Sequence, residues 1–272
     1  MANFTPSINI GRDLGKGLHY IATDNAEQAF QTIFRPSEGG IKSYCLIGSY
    51  GTGKSAFLLA AISSLQGHQA YFPTPDPAYT EEEFLLIQGD YMSIIEGFAQ
   101  ALQVDSSKSK DILKALDQRA KSLEEKGKRL LIVLDEFGKF LEYASLHAPE
   151  KELYFIQQVA ELANDEERSI LFITTLHQQF DAYSSNLERR EVQEWEKVKG
   201  RILEIPFNEP VEQLLVLASS YLEEHRENFG HAPKNQHLEQ AIKGAKVLGN
   251  KQQVTEGIAK QLYPLDSLSA AV

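Results

Sequence analysis

Two rhythms of apolar residues alternate along the first two thirds of the chain. Runs with little polar interruption read as strands buried on both faces. They fall at residues 41–47 (IKSYCLI), 84–90 (FLLIQGD), 130–137 (LLIVLDEF), 169–178 (SILFITTLHQ) and 201–207 (RILEIPF). Between them, apolar residues recur every three or four positions, which predicts helices at residues 54–65, 91–103, 108–127, 151–164 and much of 180–198. An earlier helix is expected over residues 23–34, closed by RPSEGG. The segment GHQAYFPTPDPAYTEEE, residues 67–83, carries prolines and acids and reads as an exposed connection, with Glu81, Glu82 and Glu83 as a solvated run. After Pro210 the strand rhythm stops, and residues 211–225, 235–249 and 251–263 read as helices only.

Strands alternating with helices predict an α/β layered fold. The change of rhythm at residues 206–210 marks a domain boundary. The expected organisation is a lead-in segment over 1–40, a core over 41–208 and a small helical domain over 209–272. The closing residues LYPLDSLSAAV end in an apolar run without a stop signal, which suits a tail cut from a longer protein.

The turn between the first core strand and its helix reads Gly48-Ser49-Tyr50-Gly51-Thr52-Gly53-Lys54-Ser55 and matches G-x-x-x-x-G-K-[ST] throughout. Glycines let the backbone turn sharply and approach phosphates closely. Amides from Gly51 through Ser55 and on to Ala56 can then face phosphate oxygens at a helix N-terminus. Lys54 is expected on the β- and γ-phosphates, and the Ser55 hydroxyl on Mg²⁺. The strand LLIVLDE places Asp135 at its end as a second magnesium ligand. Glu136, one residue on, is positioned to take a proton from an attacking water. Acids after a strand also cap helices, so the pair gains its meaning from the complete phosphate loop upstream.

The next strand ends in polar residues. Thr174, Thr175 and His177 are candidates to orient water or touch the γ-phosphate, with Thr175 first; threonine also simply suits strands. Arg201, before the last strand, is the first candidate for an arginine supplied to a neighbour's site, with Arg189 and Arg190 as alternatives. A solvated helix face paired with nearby glutamates is an equally good reading of all three.

Charge and composition narrow the function classes. Of 272 residues, 38 are acidic and 27 basic, for a net charge of −11, which argues against a chain-wide phosphate-neutralising clamp but not against a local basic face. A single cysteine, Cys45, excludes an internal disulfide and fits a reducing, cytoplasmic setting. The N-terminus lacks signal-peptide character, and no apolar run is long enough to span a membrane. The histidines form no metal motif: His225, His231 and His237 are expected on the surface.

Taken together, GSYGTGKS, LLIVLDEF, LFITTLHQ, KGRILEIPFNEP and the helical tail resemble the AAA+ ATPase family over about residues 40–265. The resemblance implies a three-layer P-loop NTPase with sheet order 5-1-4-3-2, a helical lid, ATP and Mg²⁺ as ligands, and assembly as a homo-oligomer or multi-subunit complex. More narrowly, LDEFGKFLEYA, TTLHQQFDAY and EWEKVKGR are similar to large bacterial ATPases of anti-phage defence loci, including the BREX type. That similarity implies a nuclease, helicase or modification partner, with DNA as a further expectation. The chain departs from the family in its later lid helices, whose basic residues are Lys243, Lys246 and Lys251 rather than a sensor arginine. A nucleotide-gated switch with slow hydrolysis is the alternative to an ATPase. A small-molecule kinase fits least, and no N-K-x-D sequence for guanine is present.

Overall fold

The structure is a computed structural model that describes residues 8–35, 40–73, 81–183, 189–209 and 211–229. The chain divides into two units, Met1–Asn208 and Glu209–Val272. In the first, α1 (Ile10–Asp13) and α2 (Asp24–Phe34) precede β1 (Ser43–Ile47) and α3 (Lys54–Leu65). Next come β2 (Glu81–Gln88), α4 (Ile94–Leu102), α5 (Ser109–Glu124) and β3 (Lys128–Asp135). The unit continues with α6 (Phe137–Leu146), α7 (Pro149–Asn164), β4 (Ile170–Leu176), a 3₁₀ turn (Phe180–Tyr183), α8 (Arg189–Lys199) and β5 (Leu203–Pro206).

The five strands form one parallel sheet in the order β2-β3-β4-β1-β5. This is the 5-1-4-3-2 order that the family resemblance implied, read from the opposite edge. Alternation along β3 explains the layers. Leu130, Ile132 and Leu134 point into a core shared with α4 to α8, whereas Leu131 and Val133 point into a second core with α1 to α3. Parallel strands covered on both faces must be apolar on both faces, which is why these runs lack the polar alternation of an exposed sheet. Cys45 is fully buried in β1, and burial pushes its thiol up to about 12.

Several local expectations change. The strand expected at 84–90 begins earlier, at Glu81. The three glutamates are not a solvated run; they open the edge strand. Glu81 lies opposite Lys128 and Glu82 opposite Arg129 in the β2–β3 register, and both form ion pairs there. Glu83 pairs with Arg119 of α5 at 2.6 Å. Opposite charges facing each other across strands stabilise that register. The connection before β2 is not wholly exposed either, since Phe72 is buried and stacks on Phe30 of α2. Helix α6, between Glu136 and the predicted helix at 151–164, had no expected counterpart.

The second unit contains α9 (Val211–Glu224) and α10 (Arg226–Phe229) among the described residues, with Leu215 and Leu222 buried. The helices expected at 235–249 and 251–263, with Lys243, Lys246, Lys251, His231 and His237, lie outside the described residues. His225 follows α9 and stacks on Tyr221. Among the described residues no helix is long and apolar enough to cross a membrane.

Candidate active site

In a parallel sheet every strand ends on the same side, so polar residues at strand ends converge. Here they converge on a cleft of about 350 Å³ lined by Tyr50, Lys54, Ser55, Asp135, Glu136, Lys139, Thr175 and His177, with Ile8, Gly51, Gly53, Ala56 and Leu176. Gly48, Ser49 and Thr52 sit in the same loop without lining the cleft.

The loop is held by its own sequence. Gly53 has a φ of 88° and Gly51 one of 83°, a left-handed backbone that side chains with a Cβ resist. Gly48 is needed for a different reason. A Cβ there would lie 2.1 Å from the Phe207 carbonyl, so only glycine lets the loop pass the end of β5. The Phe207 amide donates to the Ile47 carbonyl at 2.6 Å, and the Ser49 amide donates to Asn208 Oδ1 at 3.3 Å, which ties the loop to the residues after β5. No side chain caps the start of α3, so its first-turn amides keep their donor capacity for an anion. The Lys54 ammonium donates to the Gly48 carbonyl at 2.5 Å and the Ser49 carbonyl at 2.9 Å. Burial lowers its pKa, and the nearby Asp135 charge acts against that.

Asp135 is the hub of the site. It is 2% exposed. Its Oδ2 accepts from Ser55 Oγ at 2.9 Å, and its Oδ1 accepts from Thr175 Oγ1 at 2.7 Å. The Thr175 hydroxyl also accepts from the Glu136 amide at 2.9 Å. Burial raises the Asp135 pKa, while the two hydroxyls pull against it. A hydroxyl and a carboxylate brought together across 80 residues are hard oxygen donors of the kind Mg²⁺ takes, and that ion ordinarily needs only one or two protein ligands. The donor set therefore fits Mg²⁺.

Glu136 adopts φ 55° and ψ 42° as the residue before α6, a conformation that costs a non-glycine residue about 1 kcal/mol. Two neighbours impose it. One is the Thr175 hydroxyl under its amide. The other is Gly89, just past β2: the Gly89 amide donates to the Asp135 carbonyl at 2.7 Å, and a Cβ on Gly89 would lie 2.0 Å from the Glu136 carbonyl. The Glu136 carboxylate is ion-paired with Lys139.

The remaining sequence candidates separate. Thr175 is 1% exposed with its hydroxyl engaged by the Asp135 carboxylate and the Glu136 amide, so it positions the Asp135 carboxylate and the Glu136 backbone. Thr174 is buried between strands, its hydroxyl on the Tyr44 carbonyl at 3.3 Å. His177, just past the end of β4, lines the cleft beside Thr175. It stacks on Tyr50 with centroids 4.5 Å apart and lies 3.1 Å from the Tyr183 hydroxyl through Nδ1. Burial lowers its pKa, favouring the neutral ring. Arg201 is at the start of β5, roughly 15 Å of strand from the cleft side of the sheet. Its guanidinium contacts Glu161 at 2.7 Å and the Lys197 carbonyl at 2.6 Å. Arg189 and Arg190 begin α8.

Lys139, Gly89, Asn208 and Ile8 escaped sequence reasoning. For Gly89 a signal existed, a glycine directly after an apolar strand, which marks close backbone approach. The other three carry no local signature.

No protein-family model matches the sequence, and no curated protein matches it. Solved structures do. The ORC2 protein of Aeropyrum pernix in ADPNP and ADP complexes aligns over 92% of this chain and 69% of its own, with 14% identity and a TM-score of 0.48. Drosophila ORC bound to DNA aligns over 74% and 47%, with 13% identity and a TM-score of 0.46. PCH-2 of C. elegans aligns over 91% and 64%, with 13% identity and a TM-score of 0.39.

Proposed function

We propose that the chain binds ATP with Mg²⁺ and hydrolyses it, as an ATPase of the AAA+ type. The observation that carries this reading is the 2.9 Å contact between Ser55 of the glycine loop and Asp135 at the end of β3, with Glu136 lining the same cleft. Loop amides and Lys54 hold the phosphates. Ser55 and Asp135 hold the metal, which when bound polarises phosphate oxygens as a Lewis acid. Glu136 takes the proton of the attacking water. Thr175 fixes the direction of the Asp135 carboxylate and holds the Glu136 backbone through its amide.

Arg201 cannot serve the cleft of its own subunit from the far end of the sheet. We keep Arg201 as the candidate arginine for a neighbouring subunit's site in a homo-oligomer or multi-subunit assembly; within one chain it is paired with Glu161. The similarity to anti-phage defence ATPases supports a bacterial defence setting as the finer part of this proposal, with a nuclease, helicase or modification enzyme as the kind of partner and DNA as a further candidate ligand. The Glu136–Lys139 ion pair favours a second reading, a nucleotide-gated switch that turns over slowly because its base is held.

The test is ATP binding and phosphate release by the 272-residue chain with and without Mg²⁺. Binding that Lys54→Ala weakens at least about tenfold, together with Mg²⁺-dependent release, supports hydrolysis. Tight binding with ATP-driven oligomers and no release supports the switch. Absence of nucleotide binding sinks both.

A further inference from the structure

Glu136 and Lys139 meet across the first turn of α6. Because Glu136 stands before the helix in the left-handed conformation, its carboxylate and the lysine three residues on come to one side, and both line the cleft. Their side chains are 41% and 47% exposed. An ion pair that wet is weak and readily exchanged. The Lys139 ammonium also feels the charge of Asp90. Lys54 differs: its ammonium is tied to the loop's own carbonyls. Of the two lysines lining the cleft, Lys139 is the one whose partner is the residue proposed as the base.

We infer that Lys139 is an exchange residue: its ammonium holds the Glu136 carboxylate until the terminal phosphate of a nucleoside triphosphate takes that ammonium, which releases Glu136 for work. This rests on the ATP reading above. A terminal phosphate carries more charge and more acceptor oxygens than a carboxylate, and lysine binds it as a point charge. A nucleoside diphosphate lacks that group and leaves the pair closed. Lys139 thereby makes the availability of the base depend on which nucleotide is bound, and it is a specificity residue for the terminal phosphate.

The discriminating experiment is equilibrium binding of ATP and of ADP, each with Mg²⁺, to the wild-type chain, Lys139→Met and Lys139→Arg. Methionine keeps the stem and removes the charge. ATP binding to Lys139→Met should weaken about five- to tenfold, the loss of one charge-assisted phosphate contact, while ADP binding stays within about twofold. Lys139→Arg should restore the preference for ATP. Undiminished ADP binding also shows that the variant is folded. Equal weakening for both nucleotides, or no change in their ratio, overturns the inference while leaving the ATP reading intact. A wild-type chain that binds neither nucleotide overturns both.

Discussion

The two ends of the sheet treat charge in opposite ways. At the end where β2 and β3 begin, every acid of the run Glu81–Glu83 faces a cation: Lys128, Arg129 and Arg119. At the other end of β3, Asp135 is buried with two hydroxyls on its oxygens and an acidic neighbour in sequence. The first end spends its charges on the fold, fixing strand register. The second keeps a buried carboxylate that its hydroxyl partners only partly compensate, which is costly for a protein without a cation to place there. Under the proposed function, the contrast separates charges that serve stability from a charge kept for a ligand, and the raised Asp135 pKa is what a buried carboxylate without a cation shows.

Substitutions at each end should therefore move stability and function in different directions. The largest effect is expected from Gly89→Ala. Its new methyl group meets the Glu136 carbonyl, so the backbone that sets both acids must shift, at a cost of about 3 kcal/mol. Urea unfolding should show that loss, and phosphate release should fall with it. Next is Glu82→Ala at the opposite end. It strips Arg129 of a largely buried carboxylate partner and should cost about 2–3 kcal/mol, yet leave ATP affinity unchanged. Smallest, and opposite in sign, is Asp135→Asn. Removing a buried charge should stabilise the metal-free protein by about 1 kcal/mol while lowering affinity for Mg²⁺–ATP. The pH dependence follows from the direction of the Asp135 shift. A raised folded-state pKa means the native protein binds that proton more readily than the unfolded chain, so Asp135 costs nothing below the unfolded-chain pKa, costs progressively more as pH rises toward the folded pKa, and costs most above it. The thermal advantage of Asp135→Asn should shrink as pH falls.

Much of the working end was legible because its information is local. The glycine loop and its helix need only neighbouring residues, and α3 spans the predicted 54–65. Asp135 and Glu136 close an apolar run, so their place at a strand end followed from hydropathy alone. What stayed hidden depends on register between distant strands. That Thr175 bridges the two acids needs β3 beside β4, a contact 39 and 40 residues long in sequence. That Glu81–Glu83 belong to a strand needs the basic start of β3 opposite them; alone, three acids look solvated. Lys139 lay in a helix that no apolar run announced. Arg201 was placed correctly before the last strand, but its contact with Glu161 is again a matter of tertiary packing.

The central claim is that Glu136 activates water in a site that Ser55 and Asp135 complete with Mg²⁺. Single-turnover release of phosphate from ATP, compared between wild type and Glu136→Gln at matched nucleotide occupancy, tests it most directly. The account predicts release slowed at least about a hundredfold with ATP binding preserved, because the amide keeps the shape and loses the base. Equal release from both proteins at equal occupancy would contradict it.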